Sequence, residues 1–156
     1  MNYIRPTNFY QNPYDKVRKL SLKSFNKSID EDTDSIIQLV VAEGPISISE
    51  RLNELDREWD IDKAVMLFQS GLIIVQLARA MSRPSKNKLL GPLIQTPLLV
   101  LHATLGWSPV TMMFRKLGFR TRFEIQAERE VLLNVLEQEN YGGDQSLAEW
   151  DVFESI

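Results

Sequence analysis

Two long apolar segments, residues 64–81 and 89–107, constrain the fold of this chain more than any other feature. They contain roughly 18 and 19 residues, at the lower edge of the roughly 20 that a membrane-spanning helix needs. A short basic stretch, SRPSKNK, joins them. The pattern predicts an all-α protein built around a two-helix apolar hairpin, transmembrane in its first interpretation, and flanked by amphipathic helices.

Capping residues set the expected ends of the two apolar helices. Asp60 is a favourable N-cap for a helix over residues 61–82, and Pro84 ends that helix because proline cannot continue it. Ser85 can cap a second helix over residues 86–105. The sequence thus predicts two antiparallel helices of similar length.

Three further start signals predict the flanking helices. The capping box SISE, beginning at Ser47, predicts an amphipathic helix that ends near Trp59. Ser108 followed by proline predicts a short helix directly after the second apolar segment. A second capping box, TRFE, predicts a helix from Thr121 to about residue 139.

The chain is predicted to have three parts. Residues 1–45 are rich in Asn, Tyr and Pro at their start and are interpreted as a flexible N-terminal arm. Residues 46–139 form the helical hairpin domain, and residues 140–156 form an acidic C-terminal tail.

The few polar residues of the apolar segments occur at a regular spacing. Gln69 and Gln76 are seven residues apart, and so are Gln95 and His102. Seven residues are close to two helical turns, so each pair lies on one narrow stripe. Membrane helices use such polar side chains to associate, and the four residues are therefore predicted to form a polar seam between helices.

Basic and aromatic residues flank both segments, as is typical of helices whose ends lie at lipid head groups. The predicted interface residues are Trp59, Arg79, Arg83, Lys86, Lys88, Trp107, Arg115, Lys116, Arg120 and Arg122. Counting the basic residues on either side places both termini in the cytoplasm by the positive-inside rule.

The same pattern permits a second interpretation, in which the hairpin is the buried core of a soluble helical bundle. The leading hypothesis is a small membrane-associated protein that acts by anchoring and self-association. The alternative is a soluble all-helical interaction or assembly module. The expected partners are membrane lipid together with a second copy of the chain or another protein.

The segments around the hairpin also carry a resemblance. ISERLNELDREWDIDKAV before the first apolar helix, and GWSPVTMMFRKLGFRTRFEIQAERE after the second, resemble the YgaP-like two-helix inner-membrane domain of unknown function. Some members of that bacterial family are fused to rhodanese domains. The resemblance covers about residues 47–138 and implies a location in the bacterial inner membrane. Family members often have Cys where this chain has Ser108, and the family supplies no catalytic residues to carry over.

The sequence contains no constellation that is typical of an enzyme. It has no cysteine and one histidine, His102, whose apolar helix offers no carboxylates for a metal site. The formal net charge of −3 does not favour general nucleic-acid binding. We therefore expect no catalytic activity, cofactor, metal or nucleic-acid partner.

Overall fold

The computed structural model describes residues 12–82 and 86–153, with side chains over 12–82 and 87–138. Within these ranges the protein is helical and has no strand, which confirms the predicted all-α class. The α-helices are α1 (Lys16–Leu20), α2 (Lys23–Glu43), α3 (Pro45–Arg57), α4 (Ile61–Ser82), α5 (Leu90–Leu105), α6 (Pro109–Lys116) and α7 (Arg122–Phe153). A short 3₁₀ helix, Lys86–Leu89, precedes α5.

Three predicted helix starts are confirmed by their capping hydrogen bonds. The Asp60 carboxylate accepts from the backbone N–H of Lys63 at 2.8 Å, at the start of α4. The Ser108 hydroxyl accepts from the N–H of Thr111 at 3.1 Å, at the start of α6. The second capping box forms both of its hydrogen bonds at the start of α7. The Thr121 N–H donates to the Glu124 carboxylate at 2.8 Å, and the Glu124 N–H donates to the Thr121 hydroxyl at 3.3 Å.

The predicted start of α3 at Ser47 is wrong. The helix begins at Pro45, and Gly44 is its N-cap with φ of 104°. Glycine adopts this positive φ without steric cost, and proline is favoured at the first helical position. The Gly-Pro pair therefore starts the helix before the capping box is reached.

The structure also differs from the predicted arm and tail. Residues 12–45 contain α1, α2 and the beginning of α3, and α7 continues to Phe153. Helix α1 has a local cause, since the Asp15 carboxylate accepts from the backbone N–H of Arg18 at 2.8 Å. Residues 1–11 and 154–156 of the predicted arm and tail lie outside the described residues.

The chain divides into two compact units. Among the described residues, unit 1 consists of residues 32–58 and 125–153, and unit 2 of residues 12–31 and 59–124. Unit 1 has an apolar core whose buried members come from α2, α3 and α7: Ile37, Val40, Ile48, Leu55, Val131 and Leu132. This arrangement is typical of helices that bury one apolar stripe away from water.

In unit 2, α4 packs against α5 and α6. Asp62 near the start of α4 lies beside His102 near the end of α5, and Gln76 lies beside Gly91, so the two helices are antiparallel. Gly106 ends α5 with φ of 71°, in the left-handed conformation that favours glycine. The chain then bends by 68° between the segments Asn87–Leu105 and Pro109–Lys116.

The small apolar core of unit 2 lies near the bend. Val17, Ile61 and Val65 are buried there. Phe114 links this cluster to two other rings, with ring centroids 4.9 Å from Phe119 and 5.7 Å from Phe68. Both pairs meet edge to face, the geometry that the charge distribution of aromatic rings favours.

Candidate membrane-facing surface and buried polar cluster

The outward-facing side of α4 and α5 is apolar. Met81 is 81% exposed and Leu93 is 68% exposed. The other exposed large apolar side chains on these helices and the 3₁₀ turn are Met66, Leu67, Phe68, Ile74, Val75, Leu77, Leu89, Leu90, Ile94, Val100 and Leu105. We call this set the apolar surface. A contiguous apolar area of this kind is rare on proteins that are surrounded by water alone.

One stretch of the described chain, within Pro45–Ser82, is long and apolar enough to cross a membrane. A second qualifies if the bent segments Asn87–Leu105 and Pro109–Lys116 count as one span. Core helices of soluble proteins pass the same test, but they are mostly buried, whereas 22% of the apolar window in the first stretch is buried.

The inward side of α4 and α5 carries two buried polar residues. Gln69 and His102 are buried, together with Ser108 and Thr111 of the following turn and helix. His102 Nδ1 lies 2.9 Å from Thr111 Oγ1, which lies 2.8 Å from Ser108 Oγ. Gln69 Nε2 donates to Ser108 Oγ at 3.4 Å. These four side chains form the buried polar cluster.

The structure places the four residues of the predicted seam differently. Gln69 and His102 meet in the buried polar cluster through Ser108 and Thr111, whose hydroxyls the sequence did not single out for this contact. Gln76 is partly buried and lies against Gly91, and Gln95 is partly buried. Their role in associating helices remains a prediction.

Within the described residues, two buried amide oxygens lack a hydrogen-bond partner: Gln69 Oε1 and Gln76 Oε1. An unsatisfied buried acceptor costs about 1–3 kcal/mol. Both lie on the inward side of α4, away from the apolar surface. Their burial shows that these two amides are directed towards the protein.

The buried polar cluster has the order of groups found in hydroxyl–histidine–carboxylate triads. Thr111 Oγ1 contacts His102 Nδ1, and His102 Nε2 lies 3.5 Å from Asp62 Oδ1. The Thr111 hydroxyl is fully buried. It does not line the cavity beside His102 and Asp62, so a substrate cannot reach it. Among the side chains that the structure describes, no group of three or more His, Cys, Asp or Glu is arranged to hold a metal.

A cavity of about 340 Å³ opens beside His102 and Asp62. It lies where α4 begins and α5 ends, and we call it the terminal-end cavity. Its charged lining is mixed in sign: Asp15, Asp60, Asp62, Lys16, Lys63 and Arg122. This balance does not select strongly for either an anion or a cation.

Unit 2 also contains a buried ionic cluster that the sequence analysis missed. Arg115 donates to both oxygens of the Glu124 carboxylate, at 2.6 and 2.9 Å, and both residues are buried. Arg18 donates to Glu124 at 2.5 Å and to both oxygens of Asp30 at 2.7 and 2.8 Å. Glu124 was recognised only as a capping residue, and no local pattern identifies Arg18 as its partner.

Two buried carboxyl groups of unit 2, Glu124 and Asp15, have pKa values shifted in opposite directions. Burial alone would raise the pKa of Glu124, but hydrogen bonds and charge from Arg115, with the Thr121 N–H and Arg18, hold this pKa below its ordinary value. Burial raises the pKa of Asp15, although the Thr121 hydroxyl donates to its carboxylate at 2.5 Å. Glu124 therefore remains charged, as its two guanidinium partners require.

The predicted head-group residues divide into three groups. Arg115 and Arg120 are buried, which corrects the prediction that they contact lipid. The Arg115 guanidinium instead donates hydrogen bonds to Glu124 and, at 3.1 Å, to the Phe119 carbonyl. Arg83 and the side chain of Lys86 lie outside the described residues. The remaining predicted residues are exposed: Trp59, Arg79, Lys88, Trp107, Lys116 and Arg122.

A second cavity, of about 630 Å³, lies at the opposite end of α4 and α5. We call it the loop-end cavity. Its lining consists of Gln76, Arg79, Ser82, Asn87, Lys88 and Gly91. The described lining residues include the cations Arg79 and Lys88.

Comparison of the chain with family models, with curated proteins and with solved structures gives no match.

Proposed function

We propose that this chain is a small helical membrane-associated protein that acts by anchoring and self-association rather than by catalysis. The observation that carries the proposal is the distribution of side chains on α4 and α5. Gln69 and His102 are buried against the protein, whereas large apolar side chains such as Ile74, Met81 and Leu93 are exposed. Polar side chains in membrane segments face the protein interior in this way.

The lengths of the two helices fit a bilayer. Helix α4 has 22 residues, which at 1.5 Å per residue corresponds to about 33 Å. Helix α5 and the 3₁₀ turn before it have 16 and 4 residues, or about 32 Å, since a 3₁₀ turn rises about 2 Å per residue. The hydrocarbon core of a bilayer is about 30 Å thick, so the pair forms a transmembrane hairpin in this proposal.

The resemblance to the YgaP-like domain supports a bacterial inner-membrane location, and the distribution of basic residues supports cytoplasmic termini. Trp59 and Trp107 fit this placement, because both are exposed and flank the apolar helices at the same end. Tryptophan is enriched at the head-group level of membranes.

Liposome flotation tests the anchoring. The full chain is expected to float with phosphatidylcholine vesicles and to resist alkaline extraction. Ile74→Arg is expected to weaken insertion, because a cation at the centre of a spanning helix costs about 2.5–3.5 kcal/mol on insertion scales. Gln126→Arg, at an exposed position of α7, is the matched control and should float like the parent. A parent chain that stays in the aqueous fraction as a monomer would refute the proposal.

Self-association is proposed to use α4 at Gly71 and Ala78. A Cβ added at Gly71 would meet nothing within 4 Å, and Ala78 is exposed. Small residues at this spacing allow the backbones of two helices to approach closely. Gly71→Leu should therefore lower dimer formation measured by cross-linking in micelles. Equal cross-linking of parent and variant would exclude this face.

A second candidate function is a soluble assembly module, and the apolar core of unit 1 favours it. Such a core is typical of water-soluble helical proteins. In that case a second copy or another protein covers the apolar surface. A stable dimer in detergent-free buffer, with no flotation, would select this alternative.

A further inference from the structure

The buried polar cluster is a chain of contacts, each of which needs one hydrogen atom. Its four side chains are each at most 2% exposed, so their hydrogen bonds must be formed inside the protein. The contacts run from Gln69 to Ser108 at 3.4 Å and from Ser108 to Thr111 at 2.8 Å. The last contact joins Thr111 Oγ1 to His102 Nδ1 at 2.9 Å. The donor and the acceptor of each contact follow from counting hydrogens.

The Ser108 hydroxyl sets the direction of the chain. It accepts from the Gln69 Nε2 amide and, at 3.1 Å, from the backbone N–H of Thr111. A hydroxyl has two lone pairs and one hydrogen, so its own hydrogen is left to donate to Thr111 Oγ1. The Thr111 hydroxyl then donates to His102 Nδ1, its other contact. Because Nδ1 is an acceptor, the neutral ring carries its hydrogen on Nε2.

The second ring nitrogen of His102 faces a carboxylate. Nε2 lies 3.5 Å from Asp62 Oδ1, and both residues line the terminal-end cavity. From α6 and its N-cap, the facing groups are the two hydroxyls of the cluster. The other titratable or charged side chains that line the cavity are Tyr14, Asp15, Lys16, Asp60, Lys63 and Arg122. A positive charge on the ring would therefore lie against Asp62.

A proton added to His102 reverses the requirement at the far end of the chain. The protonated ring carries hydrogen on both nitrogens, so Nδ1 becomes a donor to Thr111 Oγ1. Thr111 must then donate to Ser108, and Ser108 must donate to Gln69. An amide oxygen has to accept at the position that the amide N–H occupies in the neutral state.

The Gln69 amide can meet this requirement by turning over. Its Oε1 is buried and has no hydrogen-bond partner among the described residues. Turning the amide therefore breaks only the hydrogen bond from Nε2 to Ser108. The oxygen and the nitrogen of an amide are so alike in shape that either fits the same space.

We propose that His102 is a proton-binding site and that the orientation of the Gln69 amide depends on its occupancy. One proton from the water of the terminal-end cavity is added to the imidazole, and no other covalent bond changes. Proton uptake beside Asp62 thereby turns an amide seven residues further along α4. Ionisable groups that face inward from membrane helices often have such roles. The site goes beyond the proposed anchoring and does not depend on what covers the apolar surface.

Nuclear magnetic resonance of the full chain in micelles tests the site. His102 is the only histidine of the sequence, so its ring signals are assigned without ambiguity. At neutral pH the ring should carry hydrogen on Nε2 and none on Nδ1. As the pH is lowered, both nitrogens should become protonated, and the side-chain amide signals of Gln69 should shift with the same midpoint. The amide signals of Gln95, outside the cluster, are the internal control and should not follow.

A variant of Gln69 tests the coupling along the chain. Gln69→Leu removes the acceptor that the protonated state needs. The ratio of protonated to neutral His102 at a given acidic pH should fall by about tenfold, the effect of one buried hydroxyl left without an acceptor. Gln69 forms no hydrogen bond with the ring, so the change must pass through the two hydroxyls. Gln95→Leu is the matched control and should titrate like the parent.

Three outcomes would overturn the proposal. They are hydrogen on Nδ1 at neutral pH, a ring that stays neutral until the chain unfolds at low pH, and a ring that titrates while the Gln69 amide does not respond. All three are measured on the parent chain, so they remain decisive if Gln69→Leu fails to fold. Each leaves the flotation result untouched, so the proposed anchoring is tested separately.

Discussion

Unit 1 and the α4–α5 pair differ most in the kind of side chain that they expose. Unit 1 encloses Ile, Val and Leu residues and exposes carboxylates such as Glu50 and Glu54. The α4–α5 pair encloses Gln69 and His102 and exposes Leu, Ile and Met residues. The hydrophobic effect explains the first arrangement in water. In the second, an apolar medium or an apolar partner would remove the exposed side chains from water.

The largest expected effect comes from the buried ionic cluster of unit 2. Glu124→Gln removes the charge that compensates Arg115, and an uncompensated buried charge costs about 3–5 kcal/mol. We expect a loss of this size in the free energy of unfolding, measured by chemical denaturation in micelles. Glu137→Gln, the same exchange at an exposed position of α7, should leave stability unchanged. Equal stability of the two variants would show that Glu124 is not paired in solution.

A matched pair of leucine substitutions tests the contrast directly. Leu132→Ala in the unit 1 core should lower the free energy of unfolding by about 2–5 kcal/mol, because it removes packed methyl groups and leaves a cavity. Leu93→Ala on the apolar surface should change it by no more than about 0.5 kcal/mol in micelles. The same denaturation measurement compares them. A large loss for Leu93→Ala would mean that the folded chain itself covers this face.

Stability should fall at acidic pH because of Glu124. Its pKa is lowered in the folded state, so its contribution is present above the ordinary value of 4.5 and is lost as the pH falls through the folded pKa. Asp15 acts in the opposite direction. Its pKa is raised above 3.8, so its charged form lowers the stability of the fold at neutral pH. This loss of stability disappears as the pH falls through the raised pKa, because the carboxyl group becomes neutral.

Denaturation midpoints of the parent and of Glu124→Gln between neutral pH and pH 3 separate these two contributions. The variant should lose most of the acid sensitivity, whereas Asp15→Asn should steepen it. An identical pH dependence in parent and Glu124→Gln would contradict the assignment.

The smallest expected effect is the difference in stability between alanine substitutions at two glycines of the apolar helices. Gly71→Ala should stabilise the monomeric fold by about 0.5–1 kcal/mol, since glycine costs that much inside a helix and a Cβ there meets nothing within 4 Å of the same chain. Gly91→Ala should gain less, because its Cβ displaces the Gln76 amide. Thermal unfolding in micelles ranks them. Equal gains would show that Gln76 moves without cost.

The parts of the fold that the sequence predicted are those with local causes. Asp60 starts α4, Ser108 and the proline after it start α6, and the Thr121 capping box starts α7. Each signal acts within a few residues of the helix end that it determines.

The parts that the sequence could not predict depend on contacts between distant residues. Arg18 and Glu124 are 106 residues apart in the chain, so nothing near Arg18 shows that its segment is ordered. Arg115 lies in a basic segment that is typical of head-group contacts, yet it pairs with Glu124. In the buried polar cluster, the seven-residue spacing predicted that His102 has a polar contact. Ser108 was predicted only as an N-cap, so its hydrogen bond with Gln69 was not predicted.

The 68° bend after α5 has a consequence for the shape of the proposed membrane form. If α5 crosses the bilayer near its normal, α6 lies close to the membrane plane, with Met113 and Leu117 exposed and apolar. Helix α6 then occupies area in one leaflet only, whereas α4 and α5 occupy area in both. This unequal occupation of the two leaflets would favour partition towards curved membranes.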